Sequence, residues 1–363
     1  MNDKMDAFSK KMADILNHGA LNLAMALGYR HRLFDVLEDL GRPATVSEIA
    51  GASGLNARYL REWLGVMATG RIVEISPGPD GEEAYLLPPD HAAFLTRKAG
   101  RDDLGVYTQE IPLLASSALE PVDRGFKTGE GVPFACYPDF QRFMAELANA
   151  GHRHLLVERF IPAVDKGRLQ ERLEEGIRVC DLGCGEGVAL NLMARAFPRS
   201  RFVGIDIDEQ AVETGRAEAR ETGLENAEFR VVDAAGIEGM EELTDRFDWV
   251  WAFDAVHDQT RPLEAHRGVR HMLAPGGMFS MVDIDAASDH AGNLDHPMGP
   301  FLYTVSLMHC MPVGLNDGGM GLGMMWGRER AEALLREAGF EEIEMEEMAH
   351  DPFNLHFLCR VRE

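Results

Sequence analysis

The sequence has few cysteines and no long apolar run. Its five cysteines, at positions 136, 180, 184, 310 and 359, are odd in number and include no Cys-x-x-Cys pair. This spacing favours neither a disulfide framework nor a structural zinc site. No apolar run approaches the length of a membrane-spanning helix, and the N-terminus lacks a charged-then-apolar signal pattern. We therefore expect a soluble cytoplasmic protein without a membrane partner.

Positive charge is also scarce. The formal net charge is −24 over 363 residues, and lysine occurs only at positions 4, 10, 11, 98, 127 and 166. Neutralising phosphates requires clustered cations, so non-specific binding to nucleic acid or anionic membrane is not expected. Hydrophobic residues make up 45% of the chain, which is enough to bury the cores of two compact domains.

The most informative motif is a glycine-rich turn between an apolar run and a helix-patterned segment. Residues 177–187 read IRVCDLGCGEG, with Gly183, Gly185 and Gly187 at alternate positions. Glycine lets the backbone bend sharply and lets a ligand come close. Asp206 ends the next apolar run, at the spacing where an acidic side chain accepts hydrogen bonds from ribose hydroxyls. The motif therefore predicts an adenosine-containing cofactor, although a glycine turn can also serve packing alone.

The acidic residue that opens this turn indicates which cofactor binds. Asp181 would repel a pyrophosphate, which dinucleotide-binding loops hold at a helix N-terminus. S-adenosylmethionine carries a sulfonium and an ammonium group and no phosphate, so an acidic loop suits it. The residues resemble the glycine-rich signature of class I S-adenosylmethionine-dependent methyltransferases. A nicotinamide-dependent oxidoreductase is the rival among enzymes.

Further cofactor-binding candidates follow the later strands. In the methyltransferase family an acidic residue after the third strand meets the adenine amino group, and Asp233 holds that place here; its alternative role is to cap a helix. The complete predicted cofactor set is Asp181, Gly183, Gly185, Gly187, Asp206, Ile207, Asp233, Ala234, Phe253 and Asp254.

The run at 247–258 suggests the catalytic group. It begins as a buried strand and ends with Asp254, His257 and Asp258, at the edge where open α/β sheets bind ligands. A histidine there can remove the proton of a methyl acceptor, because its pKa lies near neutrality. We predict His257 as general base, with Asp258 or Asp254 holding its tautomer. The alternative is that His257 only packs at the strand end.

A segment rich in methionine and aromatic residues, 286–327, follows the fifth predicted strand. Thioethers adapt their shape and polarise easily, so this segment suits an apolar or soft acceptor, although ordinary helix packing explains it equally well. Cys310 could be a reactive thiol or a small buried residue. The spacing of His257, His309 and Cys310 gives no ligand pattern, so no metal is expected. The predicted substrate-binding residues are Tyr137, His309, Cys310, Met311 and Trp326.

The order of elements predicts the fold. Short apolar strands alternate with helices over 171–363, which indicates a Rossmann-like, mostly parallel sheet. Two final strands separated only by 349–353 must form a hairpin, giving the antiparallel last strand typical of methyltransferases. The predicted strands are 177–182, 201–205, 227–232, 247–252, 277–284, 341–348 and 354–360, and the predicted helices are 188–196, 209–222, 261–273 and 328–338.

The N-terminal part has the pattern of a winged-helix domain. Long helices precede a capping box at Thr45 and Glu48, a helix that begins at Asn56, and strands at 70–75 and 84–87. Residues 30–98 contain 8 basic and 10 acidic side chains, whereas a DNA reader presents a basic face. We expect residues 1–98 to serve dimerisation and to cover the active site, and residues 99–170 to connect the domains by helices.

Taken whole, the chain resembles a group of winged-helix class I methyltransferases found in bacteria and animals. The resemblance implies S-adenosylmethionine binding and a homodimer. In plant-type O-methyltransferases the catalytic histidine lies later than His257, so their substrates are not carried over. We predict a methyltransferase for a small molecule, with oxygen or sulfur as acceptor; the alternative is a regulator with S-adenosylmethionine as effector. The resemblance is carried by the glycine loop and by residues 55–64, 87–92, 253–259, 309–311 and 318–323.

Overall fold

The computed structural model describes residues 2–362, without the side chains of residues 2–4, 80 and 101. Contacts within the chain divide it into two compact units, Met1–Ser116 and Ser117–Glu363. Within the described residues, no helix combines the length and the apolar character that crossing a membrane would need.

The N-terminal unit is a helical domain with a small antiparallel sheet, in the strand order β1-β3-β2. The predicted capping box is present: the Thr45 side chain accepts from the Glu48 amide, and the Glu48 carboxylate accepts from the Thr45 amide. Asn56 caps the following helix through the Arg58 amide. These elements are the helices and wing of a winged-helix domain. They are α1 (Asn2–Arg30), α2 (Leu33–Leu40), β1 (Ala44–Thr45), α3 (Val46–Ser53), α4 (Ala57–Thr69), β2 (Glu74–Pro77), β3 (Glu83–Leu86) and α5 (Pro89–Leu95).

The first wing strand begins later than the sequence predicts. Residues 70–75 alternate like a strand, but Arg71 has a φ of 61° and the Ile72 amide donates to the Met67 carbonyl at 2.8 Å. The chain therefore turns back onto the end of α4 before β2 starts. Hydrogen bonding at this helix end outweighs the alternating pattern.

The second unit contains a seven-stranded sheet with helices on both sides. Helix α6 (Glu110–Thr128) spans the boundary between the units, and the other elements follow it. The helices are α7 (Pro138–Leu155), α8 (Ile161–Ala163), α9 (Arg168–Glu175), α10 (Val188–Ala196), α11 (Glu209–Glu221), α12 (Pro262–Met272), α13 (Gly299–Val305), α14 (Met311–Gly314) and α15 (Arg328–Glu337). The strands are β4 (Arg178–Leu182), β5 (Arg201–Asp206), β6 (Ala227–Val231), β7 (Phe247–Phe253), β8 (Leu273–Ile284), β9 (Glu342–Met348) and β10 (Asp351–Arg360).

The sheet order confirms the predicted fold. The strands lie in the order β6-β5-β4-β7-β8-β10-β9. The first five are parallel, and β10 pairs antiparallel with both β8 and β9. The fifth predicted strand starts at 277, whereas β8 already begins at Leu273. The terminal hairpin supplies the antiparallel edge of the methyltransferase fold.

Both faces of the central strands are buried. In β7, Val250 and Ala252 pack into the core on one face, and Trp249 and Trp251 pack into the core on the other. Such a strand reads as a continuous apolar run because helices cover both sides of a parallel sheet. The polar residues therefore collect where the strands end, at the carboxyl edge.

Candidate active site

The glycine loop after β4 has a left-handed backbone at all three glycines. The φ angles are 77° at Gly183, 50° at Gly185 and 70° at Gly187. A Cβ at Gly187 would lie 2.2 Å from the ring of Phe229, whereas a Cβ at Gly185 would meet nothing within 4 Å. Gly187 is therefore required by packing, and Gly185 leaves open space beside the loop, where a ligand can approach.

The same loop packs against the segment that carries the predicted catalytic residues. A Cβ at Gly183 would lie 2.7 Å from the Cβ of Ala255, which is two residues before His257. The backbone of Gly183 is also tied to the next strand, since its amide donates to the Ile205 carbonyl at 2.8 Å. The fold thus places the cofactor loop and the 254–258 segment side by side.

Asp206 holds the loop from the end of β5. One carboxylate oxygen accepts from the Gly185 amide at 2.8 Å, and the other accepts from the Asp208 amide at 2.9 Å. The next residue, Ile207, is 70% exposed. An exposed isoleucine beside a carboxylate that has free lone pairs suits an adenosine, whose ring would cover the apolar side chain.

Asp181 lies beneath the loop rather than at its surface. It is 3% exposed, and burial, together with the nearby Asp206, raises its pKa to about 8. A cationic ligand group nearby would favour the ionised form.

Asp233 has the alternative role that the sequence left open. Its carboxylate accepts from the Ala235 amide at 2.9 Å and from Arg261 at 2.6 Å, so it caps the short helical segment that begins at Ala234. This engagement occupies lone pairs on both oxygens but leaves others free for a ligand.

Phe253 is the last residue of β7, and Asp254, which follows it, has an unusual backbone conformation. Asp254 has a φ of 47°, which is rare for a residue with a Cβ and is found at functional sites. The ring of Phe253 lies 5.4 Å from that of His152 and 5.1 Å from that of Phe160. Burial lowers the pKa of His152 to about 4, so its ring is neutral at physiological pH. No sequence pattern identifies His152, because it lies in α7, about 100 residues before Phe253.

His257 is held by a residue that the sequence prediction missed. Its Nδ1 lies 2.8 Å from Asp283 Oδ1, and both side chains are buried. This partner is Asp283, and not Asp258 or Asp254, which the sequence predicts as the carboxylate that holds the tautomer. Asp258 instead lies 3.5 Å from Nε2, on the opposite side of the ring. Asp283 is near the carboxyl end of β8, beside β7, and the parallel pairing of these strands was the signal that could have found it.

The neighbouring carboxylates control the protonation of His257. Burial alone would lower its pKa, but Asp283 and Asp258 outweigh this effect and hold the pKa well above its usual value. Cys310 also hydrogen-bonds to the ring, and burial raises the pKa of this thiol to about 12. The imidazole is therefore more basic than that of a free histidine side chain.

His309 and Cys310 lie on a distorted helical turn. The Met311 amide donates to the Ser306 carbonyl, five residues earlier, so the turn at Ser306–Cys310 is a π-type bulge, a feature frequent at functional sites. His309 Nδ1 lies 3.7 Å from Asp258 Oδ2. The ring of Tyr137 packs against His309 at 4.7 Å, and its hydroxyl donates to the Met308 carbonyl.

Four of the five residues predicted to bind the acceptor lie near His257, and the fifth lies in the core of the sheet. Tyr137, His309 and Cys310 lie beside His257 and Asp258, and Met311 follows them at the start of α14. Trp326 is 3% exposed and packs in the sheet core with Leu322, Leu334 and other apolar residues. Trp326 is thus placed as a core residue.

Two groups at this edge have the side chains and spacing of metal ligands. In the described part of the chain, one ligand atom from each of His257, Asp258 and Cys310 lies within 4.8 Å of the others, and the same holds for Asp254, His257 and Asp283. The sequence spacing did not predict either group, because their members come from separate segments.

Comparison with known families identifies both parts of the chain. Residues 173–300 match the family model described as a methyltransferase domain, and residues 19–97 match the Rv2258c-like winged HTH domain. A ubiquinone biosynthesis O-methyltransferase from Ruegeria pomeroyi is 27% identical over 197 residues, which cover 53% of this chain and 71% of the relative.

Solved structures share the fold over the full length. Mitomycin 7-O-methyltransferase MmcR superposes with a TM-score of 0.69 at 17% identity, covering 99% of this chain and 100% of the other. Human N-acetylserotonin methyltransferase, solved in complex with S-adenosylmethionine, gives 0.66 at 14% identity, with full coverage of both. At these identities the structures establish the fold alone. The two family matches identify the chain as a methyltransferase with an N-terminal winged HTH domain, and the solved structures show that it has the fold of S-adenosylmethionine-dependent methyltransferases.

Proposed function

We propose that this enzyme transfers the methyl group of S-adenosylmethionine to an oxygen or a sulfur of a small molecule. The observation that carries the proposal is the buried His257–Asp283 pair, with 2.8 Å between Nδ1 and Oδ1, on the segment that packs against the cofactor loop. Methyl transfer to oxygen or sulfur requires removal of the acceptor proton. A buried, oriented histidine beside the cofactor is suited to that task.

The cofactor half of the proposal assigns roles to the loop residues. Asp206 accepts the ribose hydroxyls with its free lone pairs, and Ile207 covers the adenine ring. Asp233 and Ala234 meet the adenine edge, while Asp181 faces the positive end of the methionine part. Phe253 and Asp254 close the site from β7, and the open space beside Gly185 supports this placement.

The acceptor half of the proposal assigns activation to His257 and Asp258. Asp283 orients His257, and Tyr137, His309, Cys310 and Met311 line the acceptor side. The relatives named above act on oxygen according to their names, ubiquinone biosynthesis O-methyltransferase and mitomycin 7-O-methyltransferase, which supports oxygen as the acceptor atom.

An assay with labelled methyl donor tests the proposal. The purified protein is incubated with methyl-labelled S-adenosylmethionine and a small-molecule extract, and the products are separated by chromatography. We expect a labelled small molecule that forms only with active protein. Label found in protein or DNA and absent from small molecules would contradict the proposal.

We also propose a homodimer. Along α1, large apolar side chains are exposed in the single chain: Phe8 at 62%, Ile15 at 52% and Leu16 at 69%. A second copy that covers this stripe would remove them from water. Sedimentation should give twice the chain mass, and Leu16→Glu should shift the protein towards monomer.

We further propose a cytoplasmic location. All five cysteines are free thiols, which suits a reducing compartment. Cell fractionation should recover the protein with cytoplasmic markers; recovery with an oxidising compartment would contradict this assignment.

A further inference from the structure

We propose that His257, Asp258 and Cys310 bind a divalent transition-metal ion of the zinc class, and that its open coordination position takes the acceptor oxygen or sulfur. This inference rests on the proposed function and replaces proton removal by His257 with activation by the ion, because a ring whose Nε2 binds the ion and whose Nδ1 donates to Asp283 has no nitrogen left to take the proton. The sequence predicts no metal site, because these residues have no ligand spacing along the chain. The fold brings them together at the ends of β7 and of the π-type turn.

The geometry fits a zinc ion. His257 Nε2 and Asp258 Oδ1 are 3.5 Å apart. Two ligands at the zinc–nitrogen and zinc–oxygen distances of about 2.0–2.1 Å in a tetrahedral site are about 3.3 Å from each other. Cys310 Sγ completes a set within 4.8 Å. Small side-chain adjustments would bring all three atoms to ligand distance.

The surroundings of His257 match those of a zinc-binding histidine. Such histidines almost always donate their second ring N–H to a carboxylate, which fixes the ring and its tautomer. Asp283 Oδ1 is 2.8 Å from Nδ1 and is buried, so Nε2 is the nitrogen directed at Asp258 and Cys310. Asp254 and Asp283 form the second possible group, but Asp283 is already engaged with Nδ1.

Buried polar atoms without partners point to the same place. Among the residues described, Asp258 Oδ1 and His309 Nε2 are buried and have no hydrogen-bond partner. An unpaired buried polar atom is costly, and in native proteins a bound ion is one cause of such an atom. His309 is 6% exposed and its Nδ1 lies 3.7 Å from Asp258 Oδ2. A cation between His257, Asp258 and Cys310 would satisfy the Asp258 oxygen.

The ligand set defines the chemistry. Three protein ligands and one open position are typical of catalytic zinc sites, whereas structural sites use four. An acceptor thiol or hydroxyl that binds the ion loses its proton to solvent. Its lone pair then forms a bond to the methyl carbon while the bond from that carbon to the sulfonium sulfur breaks. The products are the methylated acceptor, S-adenosylhomocysteine and one proton.

Metal content of the full-length protein is the first test. After exposure to Zn²⁺ and dialysis, elemental analysis should give one zinc per chain, and a strong chelator should remove it. Loading with Co²⁺ should add a thiolate-to-cobalt charge-transfer absorption in the near ultraviolet, together with visible bands of a four-coordinate ion. Wild-type protein with no stoichiometric zinc and no thiolate–cobalt band would overturn the proposal, independently of any variant.

Matched cysteine variants locate the site. Cys310→Ser should weaken zinc binding by at least about 100-fold and abolish the cobalt charge-transfer band. Cys359→Ser changes a thiol that is equally buried but outside the cluster, and it should retain both signals. Asp283→Asn should weaken zinc binding by about 10–100-fold while the thiolate band persists in the loaded protein. Equal zinc affinity in both cysteine variants would overturn the assignment.

Binding of S-adenosylhomocysteine separates this inference from the proposed function. It is measured on the metal-free and zinc-loaded wild type, with circular dichroism as the check of folding for each variant. Methyl transfer to a panel of thiols and phenols that is equally fast without metal would leave the function standing and overturn the metal site. Absence of S-adenosylhomocysteine binding would instead contradict the function itself.

Discussion

The two halves of the carboxyl edge hold their polar groups in different ways. In the cofactor half, at the ends of β5 and β6, each carboxylate binds backbone amides: Asp206 binds those of Gly185 and Asp208, and Asp233 binds that of Ala235 besides the Arg261 side chain. In the acceptor half, at the ends of β7 and β8 and in the turn Ser306–Cys310, side chains bind other side chains. Here His257 contacts Asp283, Asp258 and Cys310.

The difference shows what each half is built to do. Carboxylates that hold backbone amides fix the shape of a loop, and such a loop can receive a cofactor without rearrangement. Buried titratable groups that contact one another shift each other's proton affinity, which is what activation of an acceptor requires. We therefore expect substitutions in the acceptor half to change turnover, and substitutions in the cofactor half to change stability or cofactor affinity.

The largest effect is expected at His257. His257→Ala should lower turnover by about 10²–10⁴-fold, because the acceptor is no longer activated. The affinity for S-adenosylhomocysteine, measured by calorimetry, should stay close to that of the wild type. Unchanged turnover, or a loss of cofactor affinity as large as the loss of turnover, would contradict the assignment of separate functions to the two halves.

The next effect concerns the stability of the cofactor loop. In Gly187→Ala, the new Cβ would lie 2.2 Å from the Phe229 ring at a φ of 70°. We expect a loss of about 3 kcal/mol in the free energy of unfolding from overpacking and backbone strain. Gly185→Ala is the matched control, since its Cβ meets nothing within 4 Å, and it should cost about 1 kcal/mol. Chemical denaturation measures both, and equal losses would contradict the role of packing.

A third substitution compares two buried histidines of the same unit. His266 lies in α12 with both ring nitrogens unpartnered, and burial lowers its pKa to about 4. The neutral form is favoured in the folded state, so the protonation of His266 does not affect stability above its unfolded pKa of about 6.5 and destabilises the fold as the pH falls from there towards 4. His266→Leu should therefore gain about 2 kcal/mol more at pH 5 than at pH 8.

Urea unfolding at the two pH values measures this gain. The wild type and His266→Leu should differ most in acid, while turnover at pH 8 should change little because His266 has no part in the acceptor half. Parallel loss of stability in both proteins on acidification would show that His266 is not the acid-sensitive group.

The smallest effect is expected at Asp206. Asp206→Asn should weaken binding of S-adenosylhomocysteine by about tenfold, because hydrogen bonds to a charged carboxylate are stronger than those to an amide. Asp208→Asn is the matched control on the same loop: asparagine caps a helix as well as aspartate does, so its affinity should stay near that of the wild type. Equal affinities in the two variants would argue against ribose binding by Asp206.

The sequence was informative where the structure depends on short segments. The glycine loop, Asp206 and the alternation of strands and helices each lie within a few tens of residues, so their patterns predicted the sheet and the cofactor half. The capping box at Thr45 and Glu48 was predicted for the same reason. The strand predicted at 70–75 begins only at Glu74, because hydrogen bonds at the end of α4 outweigh local alternation.

The acceptor half could be predicted only in part. His257 was identified from its place after a buried strand, but its partner Asp283 lies on a different strand and Cys310 on a distant turn. Which side chains meet there depends on the register of β7 against β8 and on where the turn Ser306–Cys310 packs, and local sequence patterns specify neither. Trp326 was predicted to bind the substrate because it is aromatic and lies in the methionine-rich segment, but its side chain packs in the core.

The most direct test of the account is calorimetry with two ligands, S-adenosylhomocysteine and NAD, on the full-length protein. The methyltransferase match over the glycine loop predicts that S-adenosylhomocysteine binds at one site per chain and that NAD gives no measurable heat. Tight binding of NAD without binding of S-adenosylhomocysteine would contradict the account.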